Sequence, residues 1–455
     1  MFLDKFVASA IILTAWTIYA CFLYPFYFSP LAKVSGPKLA AITSWWIRWV
    51  DFGGHRAATI DALHRKYGKI VRIGPNELSF KGAEAMQKIY GAGSPFTKAP
   101  YFYDIFVAYR LFYWLSDRRY GRRPLFAILD NATHASRKKL FSQMHSKSFM
   151  WSVPMESTMR EKIGLWVRGI GNGAVKDVRT DTRYIAIDVI SRHLWGESAE
   201  FKTLEHDGDL QLLQDIVNPQ NVYLPSWLIH FPKLSEFLER TIAYVGRNPM
   251  ADIRDHAQVA FQKFKASAPE TEKIQTVGEK LWTQHISNGG DMTDNQIAAE
   301  LSDLFVAGLD TTADTLSYVF WMLSKPEHAA IQGKLKLEVQ GLRYEDDIPF
   351  LADTDKLPFL DSVLKETLRM FPINAGSQPR LPPQGKATVI YGLEIPPGTV
   401  CEMQALSVNR DPEVFDNPDE FNPERWMIPR DSAKFKEMNR QLWNFSSGQR
   451  MCIGQ

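Results

Sequence analysis

From Phe6 to Tyr24 the chain reads "FVASAIILTAWTIYACFLY", nineteen residues without a charge, and no other stretch limits its folding options so strongly. At about 1.5 Å per residue, a helix of that length crosses the hydrocarbon core of a bilayer. Trp16, Tyr19, Tyr24 and Tyr27 suit an interfacial position. Lys33, Lys38 and Arg48 follow on the carboxyl side, whereas only Asp4 and Lys5 precede the run, a bias that places the bulk of the protein in the cytosol. The competing reading is a cleaved signal peptide, but the run exceeds a typical h-region and no clear small-x-small site follows it. Residues 1–28 are therefore expected to be a single-pass anchor. Pro25, Pro30 and "SGPK" (Ser35 to Lys38) break the helix and make residues 29–50 a short stiff linker.

The rest of the chain, residues 51–455, can bury a large core, because 45% of residues are hydrophobic and 13% aromatic. Net charge is +2, from 53 basic and 51 acidic residues, without a long Lys/Arg run; that excludes a nucleic-acid partner as the working reading. Cys21, Cys401 and Cys452 are sparse and lack CxxC spacing, which argues against a disulfide framework or a structural zinc site and for a reducing, cytosol-facing compartment.

"KIVRIGPNELSF" (Lys69 to Phe80) reads as two strands joined by a tight turn. Eight aromatics crowd Tyr101 to Trp114, either as a packed loop or as an apolar ligand-facing wall, and "SDRRYGRRP" after them reads as a solvated basic loop. Helical periodicity dominates from about Ala132 to Lys325. "GIGNG" (Gly169 to Gly173) is a turn, since it lacks GxGxxG spacing and a preceding strand. "ATVIYGLEIPPGTV" (Ala387 to Val400) has a hairpin-like pattern. The fold class is mainly α with small β-sheets.

Three sites break local rules. A helix beginning at Thr293, with Gln296 completing a capping box, runs to Lys325 before Pro326. Its middle, "AGLDTT" (Ala307 to Thr312), puts poor helix formers in an apolar face. A local opening of the ladder is expected there, with a groove at Gly308 and with Asp310 and Thr311 exposed inside the core. "KETLR" places Glu366 and Arg369 three apart on one helix face, and "FNPERW" offers Arg425 in a rigid loop. A buried Glu366 between two guanidiniums would tie that loop to the helix. The third site is "FSSGQRMCIGQ" (Phe445 to Gln455). Gly448 and Gly454 permit close approach of the backbone to a flat ligand, and Arg450 can pair with an anion and favour a Cys452 thiolate. Such a thiolate suits a soft metal centre or a nucleophile, whereas Cys21 and Cys401 read as small buried hydrophobes.

"FSSGQRMCIG" fits Phe-x-x-Gly-x-Arg-x-Cys-x-Gly without a miss, and Ala-Gly-x-Asp-Thr-Thr, Glu-x-x-Arg and Pro-Glu-Arg-Trp precede it in order. The chain resembles a membrane-bound cytochrome P450 monooxygenase, and "VRIGPNELSF" and "GSPFTKAP" resemble filamentous-fungal members. The resemblance implies a triangular haem domain with haem b as cofactor and Cys452 as axial iron ligand. It implies that Phe445 packs near the sulfur, that Arg450 and Arg380 hold propionates, and that His134 and Lys138 face the other propionate. Asp310 and Thr311 would deliver protons, with Ala307 and Gly308 leaving room for O₂, and Glu366, Arg369 and Arg425 would be the structural triad behind the haem. No flavin or NADPH fingerprint occurs in the chain, so the resemblance implies a separate membrane-bound NADPH reductase meeting basic residues on the cysteine side. It also implies an apolar small-molecule substrate, a place in secondary-metabolite biosynthesis, and an endoplasmic-reticulum location.

"SGP" stands where the family has a proline hinge "PGP", and Val107 to Arg123 is longer than usual. Family members continue past Cys-x-Gly with a covering helix, whereas only Gln455 follows here. The expectation is a truncated chain with incomplete haem burial. The alternatives are therefore a non-catalytic truncated paralogue and a haem-thiolate isomerase or dehydratase.

Overall fold

The computed structural model describes residues 2–103, 123–170, 177–205, 249–267, 275–287, 292–385 and 388–455. The aromatic stretch from Phe106 to Trp114, the basic loop from Ser116 to Arg122 and Gly171 to Gly173 lie outside these.

Helix α1 (Phe2–Ile18) passes into a π-helical run, Tyr19–Phe28, that contains Pro25. Together they give one candidate membrane span, Lys5–Phe28, with none of its apolar window buried. Residues 29–50 are more than a linker. Leu31 is buried with Leu78 and Phe80, and Ile47 with Val71 and Ile73. The Arg72 guanidinium donates to the carbonyls of Pro25 (2.8 Å) and Pro75 (2.9 Å) and to Ser29 Oγ (3.3 Å). Its donors are satisfied by oxygens on both sides of the expected boundary, so this segment is built into the domain.

The expected hairpin forms as β1 (Ile70–Gly74) and β2 (Glu77–Phe80), paired antiparallel. A five-stranded sheet joins them to β3 (Thr97–Lys98), β4 (Arg380–Leu381) and, beyond the two-stranded β5 (Thr388–Ile390) and β6 (Leu393–Ile395), β7 (Val400–Glu402). The order is β1-β2-β7-β4-β3, so chain segments from both ends of the sequence share it. β2 and β7 pair parallel, and β4 pairs antiparallel with both β7 and β3.

The helical side is larger. Among its elements are α2 (Asn131–Phe141), α3 (Val178–Trp195), α4 (Asp294–Ser324), α5 (Ala329–Val339) and α6 (Pro358–Met370). Their main core gathers Phe141, Ile187, Trp195, Leu301, Phe305 and Leu309 with neighbours from the helices Pro249–Ala266 and Val277–Ser287. Helix α4 begins on the expected capping box, with Thr293 and Gln296 bonded reciprocally, and stops at Lys325, whose extended backbone precedes Pro326. At 31 residues it is about 46 Å long.

The expected opening of the ladder near Gly308 does not occur, because α4 is unbroken from Asp294 to Ser324. Thr311 Oγ1 donates to the Ala307 carbonyl at 2.7 Å and Thr315 Oγ1 to the Thr311 carbonyl at 2.7 Å, so these hydroxyls are absorbed by the helix itself. Gly308 has a packing reason: a Cβ there would lie 2.8 Å from both Cδ1 and Cγ1 of Ile190 on α3. The two helices approach closely at this point, with Arg183 bonded to Asp314 (2.8 Å) and Thr182 to Ser317 (2.8 Å) nearby.

Gly308→Ala should therefore lower stability by about 1–3 kcal/mol through overpacking. Ile190→Ala in the same chain should recover part of that loss in thermal unfolding, and additive effects of the two would contradict the contact.

Candidate active site

Glu366 is fully buried on α6. It accepts from Arg369 Nε (2.9 Å) and Nη2 (2.8 Å), from Arg425 Nε (3.0 Å), from the Asn422 amide (2.9 Å) and from Trp426 Nε1 (2.9 Å). Arg369 spends its remaining donors on the carbonyls of Asn409, Pro418 and Glu420, and Arg425 on those of Asp416, Asn417 and Glu420. One carboxylate thus fixes residues 409–426 against α6. The indole N–H of Trp426 and the amide of Asn422 were not foreseen, since they depend on how the loop wraps.

The same network reaches the cysteine loop. The Asn409 side chain accepts from the Trp443 amide (2.9 Å) and donates to Asn444 Oδ1 (2.8 Å), while Asn444 Nδ2 donates to the Leu368 carbonyl (2.7 Å). Phe445 follows, and its carbonyl accepts from the Cys452 amide at 2.8 Å, closing the loop. Ser446 and Gly448 take positive φ, 60° and 63°. A Cβ on Gly448 would stand 2.4 Å from the Tyr90 carbonyl oxygen, so its bareness admits the backbone of residues 90–92 instead of a flat ligand. Gly454 meets only Cys452 Sγ, at 3.9 Å, and has no positive φ. Cys452 is exposed, whereas Cys401 is buried in β7 and burial holds it firmly as a thiol.

Cationic side chains gather beside this loop. Lys138 Nζ donates to the Met451 carbonyl at 2.7 Å. Arg450 turns to the opposite wall, donating to Asn131 Oδ1 (3.0 Å) and to the carbonyls of Ile128 and Leu129 (2.8 Å each). Arg380 is buried and donates to Tyr103 Oη at 2.5 Å. Lys98, which sequence reasoning passed over, is buried with them and donates to the Phe126 carbonyl. Burial first, and then the charges of Arg450 and Lys98, push His134 down to about 3, so at neutral pH it offers a neutral ring with one N–H donor. Burial also lowers Arg450, to about 10. An exposed thiol beside two buried cations, Lys98 and Arg380, and two half-buried ones, Arg450 and Lys138, none with a carboxylate ion pair among the described residues, is a donor set that fits an iron porphyrin with two propionates.

On α4, Ala307 and Thr311 are exposed one turn apart. Asp310 is largely covered; burial raises its carboxyl above the ordinary range, Asp314 adds to this and Arg183 opposes it. The structure therefore brings Glu366, Arg369 and Arg425 together, and groups Cys452, Lys138, Arg450, Arg380 and His134 around one loop, while it turns Gly308 towards α3.

Replacing Glu366 by Gln leaves two buried guanidiniums without a counter-charge, and urea unfolding should register a loss of about 3–5 kcal/mol; a loss below about 1 kcal/mol, the range of a surface pair, would contradict the clamp. Asp310 gives a pH test. A raised folded-state pKa means that its stabilising contribution is complete below the unfolded value of about 3.9 and is lost as pH rises through the folded one. Asp310→Asn, which cannot ionise, should gain on the wild type as pH rises from about 4; a difference independent of pH would contradict the assignment.

The family model described as Cytochrome P450 matches residues 36–455. Cytochrome P450 monooxygenase stcB of Emericella nidulans is 30% identical over 443 residues, covering 94% of this chain and 79% of the relative. Cytochrome P450 monooxygenase aflV of Aspergillus parasiticus is 29% identical over 467 residues (94% and 82%), and benzoate 4-monooxygenase bphA of Aspergillus niger 27% over 460 (93% and 84%). A model spanning the globular part, together with relatives aligned along nearly the whole chain, makes this protein a member of the cytochrome P450 family of haem-thiolate monooxygenases.

Proposed function

We propose that Cys452 is the axial ligand of haem iron and that the chain inserts one oxygen atom from O₂ into an apolar small molecule of fungal secondary metabolism. The observation that carries this is the convergence of cations, Lys98 and Arg380 buried and Arg450 and Lys138 half-buried, beside the loop bearing the exposed Cys452. Bound haem supplies the O₂-activating chemistry; its cysteine ligand donates electron density to the iron. The chain's own residues prepare the site. The Phe445 carbonyl orients the Cys452 backbone, and the Lys138 ammonium, by donating to the Met451 carbonyl, is held beside the same loop with donors left for an anion. Arg380, Arg450 and Lys138 supply positive charge for the propionates. His134 contributes only a neutral hydrogen-bonding ring.

Thr311 and Asp310 are the proton-handling pair. The Asp310 carboxyl, raised by burial, can hold and release a proton at its oxygen. The Thr311 hydroxyl rests on the Ala307 carbonyl and is exposed on the same helical stripe. Ala307, with its small side chain, leaves the room for O₂ that had been assigned to it together with Gly308.

The span Lys5–Phe28 is the membrane anchor. Residues 29–455 then sit on the cytosolic face of the endoplasmic reticulum, where a membrane-bound NADPH reductase supplies electrons. The lysines and arginines that follow the span support this orientation.

The test is a reduced, CO-bound difference spectrum of the full chain. The wild type should shift its Soret band to the thiolate-ligated position, and Cys452→Ala should abolish that shift. A variant that keeps it would overturn the ligand assignment.

A further inference from the structure

Glu300 stands on α4 about two turns before Ala307, and its side chain is fully buried. Its two oxygens serve different segments. Oε1 accepts from Arg137 Nη1 on α2 at 2.8 Å, and Oε2 accepts from the Leu125 amide at 2.8 Å. One carboxylate thus joins the helix of Asp310 and Thr311, the helix of His134 and Lys138, and residues 124–130 between β3 and α2. That last segment supplies acceptors for cations of the site: the Phe126 carbonyl takes the Lys98 ammonium, and those of Ile128 and Leu129 take Arg450. A displacement of residues 124–130 from α4 would disturb all of these bonds.

The charges around Glu300 are few. Arg137 faces it from α2, and Asp303, a turn further along α4, adds a like charge, with Lys98 of β3 acting on Asp303. Within residues 123–130, Arg123 donates to the Ala127 carbonyl (3.1 Å) and Asp130 caps the Thr133 amide (2.7 Å). On α3, Arg192 pairs with Glu200 and His193 packs on the rings of His145 and Phe149. Lys265 and His285, on the helices Pro249–Ala266 and Val277–Ser287, pair with Asp294 at the start of α4. The core that α4 shares with these helices is apolar, with Ile297, Leu301 and Phe305 beside Glu300 in the chain. Burial first raises the Glu300 carboxyl to about 7; the Leu125 amide and Arg137 oppose this, and Asp303 adds to it.

We propose that Glu300 is a proton-controlled latch: with a proton it keeps residues 124–130 seated on α4, and without one it favours their opening to water, so rising pH loosens the wall that holds the cations of the site. A neutral carboxyl still offers the Leu125 amide an acceptor, and the half-buried Arg137 can take water in place of the lost charge. The sign follows from linkage. The closed form binds the proton more tightly than an open, hydrated carboxyl of about 4.3, so the latch is complete below that value and is lost progressively as pH rises to about 7. The latch does not depend on which residue ligates iron.

Hydrogen exchange of the full chain with haem bound, read by mass spectrometry on the peptide covering residues 124–130, tests this. After correction for the intrinsic exchange rate, protection should fall by up to about tenfold per unit between about pH 5 and about pH 7 and level off above. Glu300→Gln keeps an acceptor for Leu125 and cannot ionise, so its protection should not vary with pH. Arg137→Gln removes the opposing cation, and its protection should go on falling beyond the pH at which the wild type levels off. A wild type without pH dependence overturns the proposal, and so does an equal decline in Glu300→Gln. Should that variant fail to fold, an unmoved levelling point in Arg137→Gln overturns it as well. Residues 443–447 in the same digest should show no such dependence; an equal decline there would mark general unfolding and contradict a local latch.

Discussion

The Glu366 carboxylate is the point from which the haem side of this domain is organised. It is fully buried, and five donors from α6 and the 422–426 loop converge on it. A charge in such surroundings is tolerated only when its partners are fixed, so the loop cannot drift without exposing an uncompensated ion. The excess positive charge of Arg369 and Arg425 is spread over backbone carbonyls between Asn409 and Glu420. Those bonds set Asn409, Asn409 sets Trp443 and Asn444, and the cysteine loop starts at the next residue. The position of Cys452 is thereby coupled to a salt bridge on another element.

A second constraint acts on the opposite wall. Lys98, Arg380, Arg450 and Lys138 come from β3, β4, the cysteine loop and α2, and each satisfies its donors with neutral oxygens. The fold thus retains a concentrated positive field beside an accessible thiol. Aromatic faces and carbonyl dipoles lower its cost without cancelling the charge, which suits a site whose ligand brings its own carboxylates.

Much of this was legible locally. The capping box at Thr293, the hairpin around Gly74 and the pairing of Glu366 with Arg369 all depend on residues within a few positions of each other, and the sequence contains all the physics they need. Arg425 was reachable because a proline-bearing loop with an arginine is rigid. What stayed hidden depends on distant approach. Gly448 was read as clearance for a flat ligand, yet its bareness serves the backbone of residues 90–92. Gly308 was read as a groove in α4, yet it seats Ile190 of α3. The neutral state of the His134 ring comes from burial among cations that only the fold brings together. Lys98 stands inside "GSPFTKAP", but its place opposite Arg380 appears only when β3 and β4 pair, joining positions nearly three hundred residues apart in the chain.

The central claim is that Cys452, held by the clamp through Asn409 and Trp443, ligates the haem iron through sulfur. Iron-edge X-ray absorption of the purified ferric protein addresses that bond itself. The account predicts one sulfur scatterer in the first coordination shell beside the porphyrin nitrogens, lost in Cys452→Ser. A first shell composed of nitrogen and oxygen alone in the wild-type protein would contradict it.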